Sequence, residues 1–302
     1  MLRSTPMKLS LLLGLFLECL WILPSHSIAQ TPELARAKAT YDALRKASNE
    51  MDRMALHGQL QSLWSEALEA GGVLDVSWED WEQAVVDLGE GPDRLVVLTW
   101  NVEKDNRTHV YGGWILMANP NNQERGYDYV MLSHDPAHNP EDAARMYRHD
   151  SWQGGLYYDG ILTFDGNQPV YTLLAWDGAD ALVTRKWAET IDVRRGRVRL
   201  GTPAFELPEG LRKRMVLTYR DAVQATLTWE PENMRIVMDH LAPEEPSMTG
   251  QYAFYGPTLS YDALVWKRGA WVFEADVQVI NPSSGSPKEY RDPSKARRSR
   301  RN

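Results

Sequence analysis

Cysteine is almost absent from this chain of 302 residues, which contains only Cys19. That residue lies near the N-terminus, so the remainder of the chain has no thiol and can form no disulfide. Secreted eukaryotic domains often depend on disulfides, whereas a chain of this length can bury enough apolar surface to fold without them. The lack of cysteine therefore favours a bacterial protein with a sizeable core.

Long apolar runs are also missing. The longest, residues 9–23, is interrupted by Glu18 and is followed by Pro24. A membrane-spanning helix needs about 20 consecutive apolar residues, so this run is too short to serve as an anchor. The sequence thus predicts no transmembrane anchor.

The first 29 residues instead have the layout of a signal peptide. The basic residues Arg3 and Lys8 precede the apolar run, and small residues end the segment at Ala29. This order is typical of secretory signals, with cleavage after Ala29. We therefore expect an exported protein, located in the bacterial periplasm or outside the cell.

Recognisable catalytic motifs are lacking as well. The chain has no Gly-x-Ser-x-Gly nucleophile motif, no glycine-rich phosphate loop and no dinucleotide fingerprint. The sequence therefore assigns no catalytic residue and no cofactor.

Negative charge predominates except at the C-terminus. The formal net charge is −8, yet residues 281–302 carry seven Lys and Arg against two acidic residues. The acidic body excludes a nucleic-acid-binding surface, which requires cationic contacts to phosphate. The basic tail is predicted to be a flexible extension. It either contacts anionic surfaces or serves as a solvated end.

The front of the chain has a helical pattern. Thr31 and Pro32 provide a cap and a first helical residue. Apolar residues then recur at intervals of three, four or seven, which predicts two helices separated near Gly58 and ending at Gly71. These helices pack on a sheet or bind a partner.

From residue 94 onward the hydrophobic period changes from 3.6 to 2, which indicates strands. Residues 222–230 alternate most regularly and predict a half-buried strand. Short connections favour antiparallel pairing. Residues 143–147, inside an irregular segment, are predicted to form a helix. The strands are predicted at residues 95–102, 110–117, 127–132, 156–164, 170–176, 187–193, 198–200, 215–219, 222–230, 235–240, 262–267 and 271–277.

The sequence therefore predicts an α+β fold that is mainly β. A signal peptide (1–29) is followed by an N-terminal helical segment (30–72), a large antiparallel β-rich domain (73–280) and a flexible basic tail (281–302). The β-rich unit is expected to be a sandwich or barrel-like, because no repeat of the length of a propeller blade is visible.

Several short segments carry a resemblance to a known family. They are residues 152–158, 171–178, 191–193, 201–205, 236–241 and 261–262, with residues 95–101 upstream. In this order they resemble a family of secreted Bacteroidota proteins of unknown function, over roughly residues 94–277. The resemblance implies an exported, β-rich envelope protein and supplies no activity. Residues 103–107 depart from the glycine-containing turn that the family leads us to expect.

Histidines and carboxylates offer the densest set of candidate metal ligands. His134, His138 and His149 lie within sixteen residues of one another. Imidazole binds zinc and similar ions, yet Pro136 prevents the helical turn that would place His134 beside His138. The three histidines are metal candidates, and solvated loop residues are the alternative.

Aromatic residues offer candidate binding positions. Trp and Tyr, of which the chain has 12 and 13, combine an apolar face with a polar edge and suit sugar or protein binding. Trp78 and Trp81 do not lie in a strand pattern and are expected to be exposed. Four arginines in residues 194–199 form a basic ribbon that either contacts acidic glycans or is a solvated hairpin face.

The conclusion from the sequence is an exported envelope protein that is non-catalytic and binds an envelope protein or a glycan. The alternative is a secreted hydrolase acting on glycans or esters. A glycosidase would need two carboxylates across a cleft. The sequence does not select a pair among its candidates, which are Asp75, Glu79, Asp80, Asp177, Asp192, Asp239 and Asp262.

Overall fold

The computed structural model describes residues 31–78, 81, 85–194 and 196–279. The predicted signal peptide (1–29) and the predicted basic tail (281–302) lie outside these residues. Two helices open the described chain, α1 (Pro32–Lys46) and α2 (Glu50–Ala70). No helix in this part of the chain is long and apolar enough to cross a membrane.

The sequence predicted a break between the helices near Gly58, and this prediction is wrong. Gly58 lies inside α2, and the chain turns at residues 47–49. The Asn49 side chain accepts a hydrogen bond from the backbone N–H of Asp52 at 2.8 Å and so caps α2. A side-chain cap thus starts a new helix, whereas an isolated glycine is tolerated within one.

Sixteen strands follow the helices in the described part of the chain. They are β1 (Val85–Leu88), β2 (Leu95–Glu103), β3 (His109–Ala118), β4 (Tyr127–Ser133), β5 (Tyr147–Arg148), β6 (Leu156–Asp165), β7 (Gln168–Asp177), β8 (Val183–Arg194), β9 (Arg197–Leu200), β10 (Phe205–Leu207), β11 (Gly210–Arg212), β12 (Arg214–Arg220), β13 (Leu227–Glu230), β14 (Arg235–Pro243), β15 (Tyr255–Lys267) and β16 (Ala270–Val277).

The strands form three sheets. Sheet 1 has the order β1-β2-β3-β4, and sheet 2 has the order β5-β9-β8-β7-β6 with β12 also paired to β8. Sheet 3 has the order β11-β10-β16-β15-β14-β13, in which only the β10–β16 pair is parallel. The prediction of a mainly β fold with N-terminal helices is confirmed. The strands form stacked sheets and not a closed barrel.

The sheets and helices stack as four layers. The buried residues of α1 and α2 pack against one face of sheet 1, which confirms that the helices cover a sheet. The other face of sheet 1 packs on sheet 2. The second face of sheet 2 packs on sheet 3. Sheets 1 and 2 therefore lie inside the stack, with each face covered.

This layering explains the pattern of β2. Val96 and Leu98 face the helices, whereas Leu95 and Val97 face sheet 2, and all four are buried. A strand covered on both sides has a continuous apolar sequence instead of an alternating one.

Two predicted elements are wrong. Residues 143–147 form turns, except that Tyr147 begins β5, so no helix forms there. The strand predicted at 222–230 is reduced to β13, because residues 221–226 form the link between β12 in sheet 2 and β13 in sheet 3. The side chain of Asp239 accepts a hydrogen bond from the backbone N–H of Thr226 at 2.6 Å and holds this link.

Candidate functional site

The three predicted metal-ligand histidines have different surroundings. The Nδ1 atom of His134 accepts a hydrogen bond from the backbone N–H of Tyr111 at 3.2 Å, and its Nε2 atom lies against Gly154. His138 packs on the ring of Tyr147. The Nδ1 atom of His149 lies 3.2 Å from the carbonyl oxygen of Met131. Within the described residues, no three His, Cys, Asp or Glu side chains form a group that could hold a metal ion.

One of these histidines lies beside a serine and an aspartate, which the sequence did not predict. The Nδ1 atom of His138 is 3.3 Å from Ser151 Oγ and 3.5 Å from Asp135 Oδ2. A catalytic triad needs the serine at one ring nitrogen and the carboxylate at the other. Here both lie at Nδ1, while Nε2 is 2.9 Å from the guanidinium of Arg145. The trio therefore lacks the geometry of a nucleophilic triad.

The expected exposure of the two candidate tryptophans is wrong. Trp81 retains 2% of its accessible surface, and Trp78 is partly buried in the same core. Both rings pack on Trp64 of α2, with ring centroids 5.3 Å and 6.4 Å away. They fix the segment after α2 to the helices, so neither ring offers an open binding face.

The candidate carboxylates are mostly engaged by neighbours. Asp177 accepts hydrogen bonds from the Tyr111 hydroxyl at 2.7 Å and from the backbone N–H of Ala179 at 2.8 Å, and it pairs with Arg185 at 3.0 Å. Asp192 pairs with Arg194 at 2.7 Å. Glu79 and Asp80 lie outside the described residues. The contacts of Asp177 are those of a structural turn.

The most suitable ligand site is an open cleft of about 610 Å³ between sheets 2 and 3, which we term the Lys186 cleft. Strands β7, β8 and β12 form one side, and residues 221–228 form the other. The side chain of Lys186 projects toward sheet 3, because its neighbour on the same face, Ala188, belongs to the core between these sheets. A volume of this size suits a small ligand.

Lys186 is the cation of this cleft and is partly buried. It makes no ion pair and no hydrogen bond with any residue that the structure describes. Its Nζ lies 5.5 Å from the centroid of the Tyr158 ring. Burial lowers the pKa of the Lys186 ammonium, and the negative charge of Asp239 offsets only part of this effect. The charged form thus loses hydration without gaining an ion pair or a hydrogen bond within the described residues.

A hydrogen bond fixes the position of the Tyr158 ring that contacts Lys186. It lies on β6, and its hydroxyl donates a hydrogen bond of 2.7 Å to the backbone carbonyl of Leu227 on β13. This bond joins sheet 2 to sheet 3 through the same tyrosine whose ring contacts Lys186. Burial raises the pKa of the Tyr158 hydroxyl, so the ring remains neutral and attracts a cation through its face.

The walls of the cleft combine aromatic and polar groups. Trp176 of β7 and Tyr219 of β12 provide rings, and burial raises the pKa of Tyr219 to about 12. Asp221 is held by Thr184, whose hydroxyl donates to it at 2.9 Å. The remaining polar groups of the rim belong to Gln224, Thr226 and Thr228.

Charges in the second cleft between the same sheets are paired. This cleft, of about 380 Å³, is bordered by Glu141, Arg214 and Asp262. Glu141 contacts Arg185 at 2.9 Å, and the guanidinium of Arg214 contacts Glu189, on the side of sheet 2 that faces sheet 1, at 2.8 Å. Asp262 is 2.8 Å from the ring of His240. The Lys186 cleft therefore differs by having a cation that makes no ion pair with any described side chain.

Lys186 and Trp176 were not predicted from the sequence as site residues. Lys186 directly follows Arg185 in a strand that also carries Thr, Glu and Asp, so no local pattern sets it apart. Comparison with protein-family models, curated proteins and solved structures gave no match.

Proposed function

We propose that this protein is an exported, ligand-binding protein of the bacterial envelope, and that the Lys186 cleft binds an acidic sugar. The observation that carries the proposal is the unpaired, partly buried ammonium of Lys186 inside an open cleft. A carboxylate on the ligand would supply the charge-assisted hydrogen bond that Lys186 does not make within the protein.

The other groups of the cleft favour a sugar over a simple anion. Trp176 presents a ring for stacking on the flat face of a pyranose, and hydroxyl and amide groups on Gln224, Thr226 and Thr228 can exchange hydrogen bonds with sugar hydroxyls. Asp221 can accept further hydrogen bonds from hydroxyls. A simple anion would use only the lysine.

The test is calorimetric titration with glucuronate, and with glucose as the neutral probe. We expect glucuronate to bind the purified protein and Lys186→Met to weaken that binding at least about tenfold, since a charge-assisted hydrogen bond is lost. Glucose should bind more weakly than glucuronate.

Lys46→Met is the matched control, because it removes the same charge from an exposed position at the end of α1. This variant should bind glucuronate as the wild type does. Equal binding by the wild type and Lys186→Met, or no binding of glucuronate at all, would contradict the proposal.

A further inference from the structure

A histidine and an aspartate on neighbouring strands of sheet 3 form a second candidate site. His240 of β14 is exposed, whereas Asp262 of β15 is buried. The Nδ1 atom of His240 lies 2.8 Å from Asp262 Oδ2. The carboxylate of Asp239, which precedes His240 on β14, is engaged by the backbone N–H of Thr226. The partner of His240 comes instead from the neighbouring strand.

The strand register around this pair is irregular on both sides. Asp239 pairs with Tyr261 and Leu241 pairs with Pro257, so residues 258–260 of β15 face His240 alone. Bulges of this kind redirect side chains and are frequent next to active sites.

A second irregularity lies on the other side of β15. Tyr261 pairs with Val277 and Ala263 with Glu274, so Asp262 faces two residues of β16. One of them, Asp276, has a left-handed backbone with φ of 56°. Its backbone N–H donates a hydrogen bond of 3.1 Å to Asp262 Oδ1. The carboxylate of Asp262 is thus held at both oxygens.

This geometry determines which nitrogen of His240 can accept a proton. An ionised carboxylate only accepts hydrogen bonds, so Nδ1 must carry the proton that it shares with Asp262. The lone pair then lies on Nε2. Orientation of an imidazole by a buried aspartate is the arrangement that general-base catalysis uses.

The surroundings favour a neutral, partly apolar substrate. Leu259, in the bulge that faces His240, is fully exposed, and Tyr252 lies with Asp262 along the second cleft. Arg220 of β12, which reaches Glu244 just after β14, is paired with that carboxylate. The structure therefore offers an exposed apolar side chain beside His240.

We propose that His240 and Asp262 form a hydrolytic site for carboxylic esters, with His240 as general base and Asp262 as its positioning residue. Nε2 takes a proton from water, whose oxygen bonds to the ester carbonyl carbon. The tetrahedral intermediate then expels the alkoxide, which receives the proton from the imidazolium. The products are the acid and the alcohol, and Nε2 regains its lone pair.

The first experiment measures hydrolysis of p-nitrophenyl acetate by the purified protein. His240→Gln should reduce the rate about tenfold or more, in line with the usual contribution of a general base. His149→Gln is the matched control, because His149 is partly exposed and its ring lies against the backbone carbonyl of Met131, and it should leave the rate unchanged. Both variants should retain binding of glucuronate, which separates this site from the Lys186 cleft.

The second experiment starts with the wild-type protein, so its first result does not depend on whether a variant folds. Diethyl pyrocarbonate acylates accessible, unprotonated imidazole nitrogens, and mass spectrometry locates the modified histidines. We expect His240 to react faster than His149 in the wild type. Asp262→Asn should slow acylation of His240 and change the pH profile of ester hydrolysis. Ester hydrolysis by His240→Gln at the wild-type rate would overturn the proposal, as would acylation of His240 no faster than that of His149. The positioning role of Asp262 would be overturned if Asp262→Asn left the acylation rate of His240 and the pH profile of hydrolysis unchanged.

Discussion

Sheet 2 packs on sheet 1 through one face and on sheet 3 through the other, and these two interfaces hold charge in opposite ways. Toward sheet 1, Glu189 and Arg214 are completely buried and form an ion pair, in which Nη2 and Nε of Arg214 both donate to Oε2 of Glu189 at 2.8 and 3.2 Å. Toward sheet 3, Lys186 is only partly buried and has no ion-pair partner among the described residues.

The buried pair is satisfied because many groups converge on it. The Oε1 atom of Glu189 accepts hydrogen bonds from Gln153, Tyr157 and Trp187 at 2.7 to 2.9 Å. Arg214 also donates to two backbone carbonyls in the segment before β5. A closed interface tolerates charge only with a complete set of partners, whereas an open one can leave a charge for a ligand.

The largest expected effect comes from breaking the closed interface. Arg214→Met leaves the Glu189 carboxylate buried without its cation, and we expect a loss of about 3 to 5 kcal/mol in the free energy of unfolding. Denaturation in urea measures this loss. Arg212→Met removes a cation from a less buried position two residues earlier and should cost far less. Similar losses in the two variants would contradict the contrast between the interfaces.

A smaller effect is expected from overfilling the same interface. Gly155 has φ of +128°, and a Cβ atom there would lie 2.3 Å from the ring of Trp187. Gly155→Ala should therefore lower the free energy of unfolding by about 2 to 3 kcal/mol, through overpacking and backbone strain. Gly166→Ala is the control, because Gly166 also has a positive φ but no neighbour within 4 Å of the added atom. If both variants lost the same free energy of unfolding, the whole loss would come from backbone strain and none from overpacking against Trp187.

The smallest effect should come from the open interface. Lys186→Met should raise the free energy of unfolding by less than about 1 kcal/mol, because solvent screens a partly exposed ammonium. The pKa of Lys186 is lowered in the folded state from the ordinary 10.5, so the unfolded chain binds more protons between these two values. Wild-type stability should therefore rise, relative to Lys186→Met, as pH increases through that window. A relative fall in wild-type stability would show that the ammonium is stabilised.

The strands were largely predictable because their apolar periods are regular. Predicted strands such as 95–102 and 156–164 correspond to β2 and β6 within a residue or two. The prediction failed at 222–226, where apolar alternation continues although the backbone leaves one sheet for another. Val223 and Ala225 still contact the core, so their pattern reports burial and not strand pairing.

The candidate sites were less predictable because they depend on register. His240 meets Asp262 only because the strands shift between Asp239 and Leu241, and no local pattern specifies that shift. Trp81 was expected to be exposed because its segment lacks a period, yet packing on Trp64 buries it. Local sequence predicts an element, while the contacts between elements decide which side chains remain accessible.

The alternating orientation of the side chains on β8 determines what substitutions along this strand affect. Trp187 and Glu189 point into the closed interface, whereas Lys186 and Ala188 point into the open one. One strand thus carries two independent sets of requirements, separated by a single residue. Under the proposed function, substitution of Lys186 should alter ligand preference with little effect on stability, whereas substitution of the fully buried Trp187, Ala188 or Glu189 should lower the stability of the fold.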